Sequence, residues 1–372
     1  MVSVLNFCPY LPLRKSFVIG PWHFVAASEY TGSWLSPEFE TASRTFLTHF
    51  HDADRQPVAS PTLVAHTERG VDGEPLAGTI RDALQGTLDF VVLDVAPRWD
   101  EDESQGSMSA FLALTSDNTE LFVWPVDSEG GRFVVDTGLL ISTLSGGHRL
   151  DNPADIIPCP VEVRIPRRAA RADEEVALAL YEALLEADPA TGSQRTLLAG
   201  RITTALRWWA RAHRNTSSIT WEDRIVMLKT AFEALIDESR AWPGALRLRE
   251  WFETRVDDPG DLYWSPKNAA THVIKLQGAE RSLTPLEHWF VQFCFLRNAI
   301  VHEGAHITLA TESYNEPGPY EGPFFHRADE VFRQAVKVAL ADFGVPNLWH
   351  SELWRTIARA VSDPTEQEMG EP

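Results

Sequence analysis

The first 165 residues carry their apolar side chains in short runs rich in Val, Ile and Phe, separated by Gly, Pro, Asp and Ser. Runs of this kind are typical of strands joined by turns. Residues 161–165 alternate apolar and polar, as a strand with one buried face does. The pattern predicts strands at residues 17–19, 88–95, 121–126, 133–144 and 161–165, and helices at residues 37–50 and 78–85.

After Pro166 the pattern changes to long stretches rich in Ala and Leu, with apolar side chains every three to four residues. This spacing predicts helices, at residues 173–187, 194–213, from 220 onward, 284–304, 327–343 and 350–361. We therefore expect an α+β protein, with a mostly β N-terminal domain at residues 1–165 and an all-α domain at residues 166–361. Residues 362–372 are acidic, contain Pro and Gly, and are expected to be disordered.

The helix expected to begin at Thr220 has a capping box with Asp223 and one apolar face. Lys229 and Glu233 lie four residues apart on this helix. Such a pair most simply forms a salt bridge on the helix surface. The alternative is that Glu233 instead reaches Arg297 and holds it in place.

The helix expected from residue 284 has the strongest start signal in the chain. Thr284 can act as the cap, Pro285 occupies the first helical position, and Glu287 completes a capping box. Residues 289–296 are apolar nearly all the way round the helix, which predicts a path through the centre of the bundle. Gly304 is the expected end.

Composition limits the classes of function. The chain has 372 residues, with 33 basic and 53 acidic side chains and a formal net charge of −20. Such a charge disfavours general attraction to phosphate, so a nucleic-acid site would have to be local. Three separated cysteines indicate neither a disulfide framework nor a zinc knuckle, and no leader or membrane-spanning stretch is evident. We expect a soluble cytoplasmic protein.

Polar groups gather where the apolar central helix ends. Arg297, Asn298 and His302 supply a guanidinium, an amide and an imidazole, which are costly to bury without partners. They should line a cleft, contact a partner subunit, or satisfy one another. Arg297 and His302 lie five residues apart, roughly 140° round an ideal α-helix, so they need the helix end or a second chain to converge.

The R-N-x-x-x-H pattern of Arg297, Asn298 and His302 resembles the HEPN superfamily of helical domains. Residues 223–235 resemble the preceding amphipathic helix of the ApeA-like HEPN branch, and the likeness covers residues 173–345. Many members of this superfamily are metal-independent ribonucleases of toxin–antitoxin and antiviral defence systems, and they dimerise so that two motifs form one active site. Others have lost catalysis and serve as dimerising or RNA-binding modules. In this branch, N-terminal regions resemble sensor domains.

The resemblance implies an endoribonuclease that works by transesterification, without cofactor or metal. In it, His302 would exchange protons with the ribose 2′-OH or the leaving 5′-oxygen, and Arg297 would stabilise the charged phosphorane. Asn298 would orient the phosphate or the imidazole, with Glu233 and Glu303 as supporting groups. The expected partners are RNA, a second copy of the chain and an antitoxin or phage-derived ligand, with no membrane.

Two alternatives remain open for the same residues. Arg297 and His302 could be a buried structural pair or a dimer contact in an inactive binding module. His302, Glu303 and His306 also match HExxH, the zinc-protease helix, although Gly304 interrupts that helix and no third ligand is evident.

A second basic feature lies earlier in the helical half. Arg207, Arg211 and Arg214 fall at i, i+4 and i+7, a basic stripe with helical spacing near the end of the helix expected at residues 194–213. They could follow an RNA backbone or simply form a solvated helix face.

Overall fold

The computed structural model describes the backbone of residues 2–13, 15–26, 29, 50–51, 56–58, 61–66, 78–94, 119, 121–127, 140–143, 146–149, 174–186, 193–214, 219–255, 272–276, 278–303 and 323–343. The chain divides into two compact units. Unit 1 comprises residues 1–185 and 213–216, and unit 2 comprises residues 186–212 and 217–372.

Unit 1 is built on a five-stranded antiparallel sheet with the strand order β2-β3-β4-β1-β5. Its strands are β1 (Val2–Cys8), β2 (Phe17–Ile19), β3 (Trp22–Val25), β4 (Thr62–His66) and β5 (Phe122–Asp127). A separate hairpin joins β6 (Leu140–Thr143) to β7 (Gly146–Arg149). The strands predicted at residues 17–19 and 121–126 are confirmed, the second with a shift of one residue.

Helix α1 (Gly78–Asp94) corrects one prediction. Its first half was predicted as a helix, but the strand predicted at residues 88–95 is wrong, because the helix continues to Asp94. A short apolar run fits a strand and a buried helix equally well. Buried polar contacts hold this part of the helix: Gln85 Nε2 donates to Asp89 Oδ1 at 2.9 Å, and Gln85 Oε1 accepts from the Leu121 backbone N–H at 2.8 Å.

Helix α2 (Glu174–Leu185) was predicted as the first helix of the all-α domain. In the structure it packs within unit 1, against α1 and β2. Trp22 Nε1 donates to the buried Tyr181 hydroxyl at 3.0 Å, and the Tyr181 ring lies against Gly20, whose positive φ of 55° suits a turn without a side chain. The domain boundary expected at residue 165 lies outside the described residues.

Unit 2 is mainly helical. Its helices are α3 (Gln194–Ala212), α4 (Trp221–Ile236), α5 (Ala241–Arg255), α6 (Pro285–Asn298) and α7 (Pro323–Ala339). A π-helical turn (Ala299–Glu303) follows α6, and a 3₁₀ turn (Leu340–Phe343) follows α7. Both predicted capping boxes are present, at Thr220 and at Thr284.

The prediction of an all-α domain is wrong in one respect, because unit 2 contains an antiparallel hairpin of β8 (His272–Leu276) and β9 (Ala279–Leu283). Most of its described side chains are exposed, so no hydrophobic pattern along the chain predicts it. Helix α5 was also not predicted. The chain is thus mixed α+β.

Several predicted features lie outside the described residues: the strand at residues 161–165, the helix at residues 350–361, the helix end at Gly304, most of the helix at residues 37–50 and the tail at residues 362–372. Within the part that the structure describes, no helix combines the length and apolar character needed to cross a membrane.

Candidate functional site

The site is at the end of α6, and the start of that helix is firmly fixed. The Thr284 hydroxyl accepts from the backbone N–H of Glu287, and the Glu287 carboxylate accepts from the backbone N–H of Thr284 at 2.8 Å. The buried Glu287 carboxylate also accepts a hydrogen bond from Arg249 Nη1 of α5 at 2.8 Å. These bonds satisfy backbone groups that a helix start leaves free and tie α6 to α5.

Aromatic packing fixes the middle of α6. Phe232 of α4 makes edge-to-face contacts with the rings of Trp289, Phe290 and Phe293, at centroid distances of 6.2, 5.5 and 5.9 Å. All four side chains are buried. Such contacts add to the free energy of apolar burial. They place the helix inside the bundle, as the sequence predicted, and so fix where its last turn lies.

Polar groups become exposed where α6 passes into the π turn. Arg297 Nη1 donates to Asn298 Oδ1 at 3.1 Å, and this bond is exposed. Asn298 and His302 are themselves exposed, while Arg297 Nε is covered by protein. Among the side chains that the structure describes, no carboxylate lies within ion-pair distance of Arg297. Its charge is therefore not neutralised by this part of the chain.

Apolar side chains flank these groups. Phe295 is 44% exposed and Val301 is 47% exposed, whereas Trp289, Phe290 and Phe293 of the same helix are buried. Exposure of one Phe is not unusual by itself, but here it lies next to the polar groups of the motif. The end of α6 therefore offers a mixed surface of an aromatic ring, an amide, an imidazole and a guanidinium edge.

A charged group that was predicted on the surface of α4 is buried against α6 instead. Lys229 is 1% exposed, and its Nζ donates to Glu233 Oε1 at 2.8 Å and lies 5.4 Å from the centroid of the Phe290 ring. The predicted pairing of Lys229 with Glu233 is confirmed, but its predicted place on the helix surface is wrong for the lysine. The available signal was the position of Lys229 next to Leu228, close to the apolar face of α4.

The nearby Cys294 is a buried thiol. Burial raises the pKa of Cys294 to about 11, despite the opposing effect of the Lys229 ammonium. Only the thiolate is a strong nucleophile or metal ligand. Cys294 is therefore a packing residue rather than part of the chemistry.

The three arginines of the expected basic stripe do not lie on one helix. Arg207 and Arg211 are exposed on α3, and the Arg211 guanidinium lies 5.1 Å from the centroid of the half-buried Trp208 ring. Arg214 follows the end of α3 at Ala212 and is grouped with unit 1. The stripe is thus reduced to two exposed arginines of unit 2.

His306, the second histidine of the HExxH match, lies outside the described residues, as does the side chain of Glu303. In the described part of the chain, no group of three or more His, Cys, Asp or Glu side chains is placed to hold a metal ion. The expectation of a metal-free site stays a prediction.

Comparison of the chain with protein-family models, with curated proteins and with solved structures gave no match. Only the residues at the end of α6 themselves therefore indicate what this site can bind or catalyse. A guanidinium with no ion-pair partner among the described side chains suits an anion, an exposed imidazole has nitrogens that can donate or accept hydrogen bonds, and an amide can do both. Together they suit the binding and proton transfer that a phosphodiester requires.

Proposed function

We propose that the helical unit is a metal-independent endoribonuclease of the HEPN type. The observation that carries the proposal is the end of α6, where the Arg297 guanidinium bonds only to the neutral amide of Asn298 among described side chains and His302 is exposed in the next turn. A guanidinium with no ion-pair partner among the described side chains, at the same helix end as an imidazole, supplies groups suited to charge stabilisation and proton transfer at a phosphate.

The reaction is transesterification. The ribose 2′-oxygen attacks phosphorus, the bond from phosphorus to the 5′-oxygen breaks, and the products carry a 2′,3′-cyclic phosphate and a 5′-hydroxyl. His302 accepts the 2′-OH proton or donates a proton to the leaving 5′-oxygen. Arg297 offers its terminal nitrogens to the phosphorane oxygens, and Asn298 orients that guanidinium through their shared hydrogen bond.

The proposal includes the cellular role and the assembly state of the protein. The protein acts in the cytoplasm as a homodimer through its helical unit, in bacterial defence or toxin-type growth arrest. The exposed Phe295 and Val301 beside the motif support a contact with a second copy. The β-rich N-terminal unit recognises a ligand, such as an antitoxin or a phage-derived molecule, that controls the nuclease.

The test is cleavage of single-stranded RNA by the purified full chain in excess EDTA. Wild type should cut the RNA and leave 2′,3′-cyclic phosphate ends. His302→Ala should lower the cleavage rate by about 10²–10⁴-fold, the usual contribution of a general acid or base. Lys275→Ala is the control, because it removes an exposed charge from the β8–β9 hairpin. Equal cleavage by His302→Ala, or no cleavage by wild type, would reject the proposal.

A non-enzymatic assembly module is the second candidate, favoured by the exposed Phe295 and Val301. If this candidate is correct, Phe295→Asp should convert a dimer to a monomer, as measured by analytical sedimentation. Leu197→Asp is the matched control, since Leu197 on α3 is also exposed, at 55% against 44% for Phe295, but lies away from the motif in sequence. Assembly without any RNA cleavage would favour this module.

A further inference from the structure

Helix α3 carries only positive charges, although the chain as a whole is strongly acidic. Residues 189–221 contain five arginines and no acidic residue, in a chain whose formal net charge is −20. Four of these arginines lie on α3 (Gln194–Ala212). A positive surface on an acidic protein attracts anions only at that place. The charge of α3 therefore indicates a local site for an anionic partner rather than general attraction.

The solvent side of α3 forms one continuous face. Five of its side chains are exposed or half-buried, recur every three to four residues, and together make up what we call the basic face: Arg201, Thr204, Arg207, Trp208 and Arg211. The opposite side of the helix is buried, and there Trp209 Nε1 donates to Asp329 Oδ1 at 2.7 Å. Because Trp209 is anchored inside the bundle, its neighbour Trp208 is held toward solvent.

Two arginines of the basic face differ from other arginines of unit 2 in their charge pairing. Arg240 Nη2, for example, lies 2.9 Å from Glu238 Oε2. Among the side chains that the structure describes, no carboxylate lies within ion-pair distance of Arg201 or Arg211. Their charge stays available to an external anion, in a protein that has more acidic than basic side chains.

Arg211 and Trp208 form a pair on the basic face. The Arg211 guanidinium lies 5.1 Å from the centroid of the Trp208 ring. A guanidinium held over a ring still has N–H groups at its rim that can donate to phosphate oxygens. An unpaired base can stack on the indole ring or on the guanidinium plane. The pair thus suits the two groups that single-stranded RNA presents, a phosphate and a base.

A second pair of this kind lies at the start of α4. The Arg224 guanidinium lies 4.7 Å from the centroid of the Trp221 ring, and both side chains are half-buried. Helices α3 and α4 pack against each other and are linked by residues 213–220, so the end of α3 and the start of α4 lie at the same end of the pair. The adjacent Asp223 carboxylate is held by the N–H and hydroxyl of Thr220. Two Arg–Trp pairs therefore share one end of this helical hairpin.

We propose that the basic face of α3 binds single-stranded RNA, with its arginines on phosphates and Trp208 on a base. The inference rests on the proposed ribonuclease function and adds to it a surface, outside the end of α6, that holds the substrate. A duplex is a poorer ligand because its bases are already paired and stacked. An acidic polypeptide is a poorer ligand because it has no bases to stack.

The test is binding of a fluorescein-labelled oligouridine of about 20 nucleotides with 2′-O-methyl riboses, measured by fluorescence anisotropy with the full chain. Without a free 2′-OH this RNA cannot undergo the proposed cleavage, so wild type can be measured whether or not it is a nuclease. The double variant Arg207→Gln, Arg211→Gln should raise Kd about tenfold or more at low salt. It should also lower the slope of log Kd against log salt by about 1–1.5, since each phosphate contact of a single strand contributes about 0.7.

The matched control is the double variant Arg240→Gln, Arg247→Gln. It removes the same charge from two exposed arginines of unit 2, which pair with Glu238 and Asp237. Its Kd should stay within about twofold of wild type, because these arginines lie outside the basic face.

Changes at two further positions keep the test valid if an arginine variant folds poorly. Trp208→Leu should raise Kd about 5- to 100-fold, whereas Trp208→Phe, which keeps an aromatic ring, should raise it by less than about threefold. Thr204 is exposed in the middle of the basic face. Thr204→Lys should therefore tighten binding and Thr204→Glu should weaken it, each by about threefold or more. A gain in affinity cannot result from misfolding.

Three results would overturn the inference: no binding by wild type, unchanged Kd in Arg207→Gln, Arg211→Gln, or equal Kd in Thr204→Lys and Thr204→Glu. Binding of polyglutamate or of a 2′-O-methyl duplex as tight as that of the single strand, with no effect of Trp208→Leu, would also overturn it, because the face would then bind polyanions without contacting bases. If the single strand binds as expected but wild type cuts no ordinary RNA, the surface stands and the ribonuclease proposal fails. If wild type cuts RNA but binding ignores the basic face, the surface is rejected and the ribonuclease proposal stands.

Discussion

Lys229 Nζ donates to Glu233 Oε1 at 2.8 Å, one helical turn further along α4, and the lysine side chain is buried while the glutamate reaches solvent. The ammonium also approaches the Ser239 carbonyl at 3.5 Å and the ring of Phe290. This single cation therefore joins α4, the residues that follow it, and the helix that carries the motif. Its loss should differ from the loss of an ordinary surface charge.

We expect Glu233→Gln to destabilise the protein more than Lys229→Met does. Removing the carboxylate leaves a buried ammonium without its ion partner, at a cost of about 2–4 kcal/mol. Removing the ammonium and keeping a chain of similar length costs about 1 kcal/mol. Urea unfolding of both variants gives the comparison. The reverse order would mean that the carboxylate does not neutralise Lys229.

The buried thiol should be inert at neutral pH. With its pKa raised to about 11 by burial, Cys294 has little thiolate at pH 8. Cys8 is also buried, which keeps reagents from its thiol. In the Cys159→Ser variant, native protein should react with a thiol reagent at least about 100-fold more slowly than urea-unfolded protein. Fast reaction of one thiol in the native state would contradict the placement of Cys294 or Cys8.

Alkaline pH should weaken the fold through the same group. The thiol ionises at its ordinary pKa near 9 in the unfolded chain and only at about 11 in the folded protein. Its contribution to stability is therefore complete below pH 9 and is lost as pH rises from 9 toward 11. Melting temperatures of wild type and Cys294→Ala at pH 8 and 10.5 test this. The wild type should lose more stability than the variant over that range.

The two capping boxes should differ in their contribution. Thr284 is buried and its partner Glu287 also holds Arg249, whereas Thr220 is exposed. We expect Thr284→Ala to cost about 1–2 kcal/mol and Thr220→Ala about 0.5–1 kcal/mol in the free energy of unfolding. Thermal melts of the two variants, with Thr284→Ser as the conservative control, give the answer. Equal losses would show that burial adds nothing to the cap.

In unit 1, the bond between Trp22 and Tyr181 can be measured by a double-mutant cycle. Tyr181→Phe leaves the Trp22 indole N–H without its acceptor in a buried place, and should cost about 1–3 kcal/mol. Once Trp22→Phe is present, Tyr181→Phe should cost clearly less, because no donor is left unsatisfied. Equal effects of Tyr181→Phe in both backgrounds would mean that the hydrogen bond contributes nothing.

Local signals predicted much of this chain well. The capping boxes at Thr220 and Thr284 depend only on residues three positions apart, and the helices they begin were placed correctly. The aromatic stretch at residues 289–296 indicated a central helix, and the rings of Trp289, Phe290 and Phe293 are buried against Phe232. The group of Arg297, Asn298 and His302 was found as candidate chemistry from the same helix end.

Other features depend on contacts between residues far apart in the chain. Residues 88–94 extend a helix rather than forming a strand, and Asp89 is held by Thr119 thirty residues away. Helix α2 packs on the β-rich unit because Tyr181 meets Trp22, a contact across 159 residues that periodicity does not encode. The hairpin β8–β9 has mostly exposed side chains, so it left no hydrophobic pattern to read.

By itself, the sequence determined the helix starts, the apolar central helix and the identity of the polar groups at its end, because caps and amphipathic faces are local properties. Only the tertiary structure decided that Lys229 is buried, that Arg297 has no carboxylate partner among the described side chains, and that a π turn follows Asn298. The reason is physical. Burial, charge pairing and the choice between α and π turns are set by what packs around a segment, and neighbours in space are not neighbours in sequence.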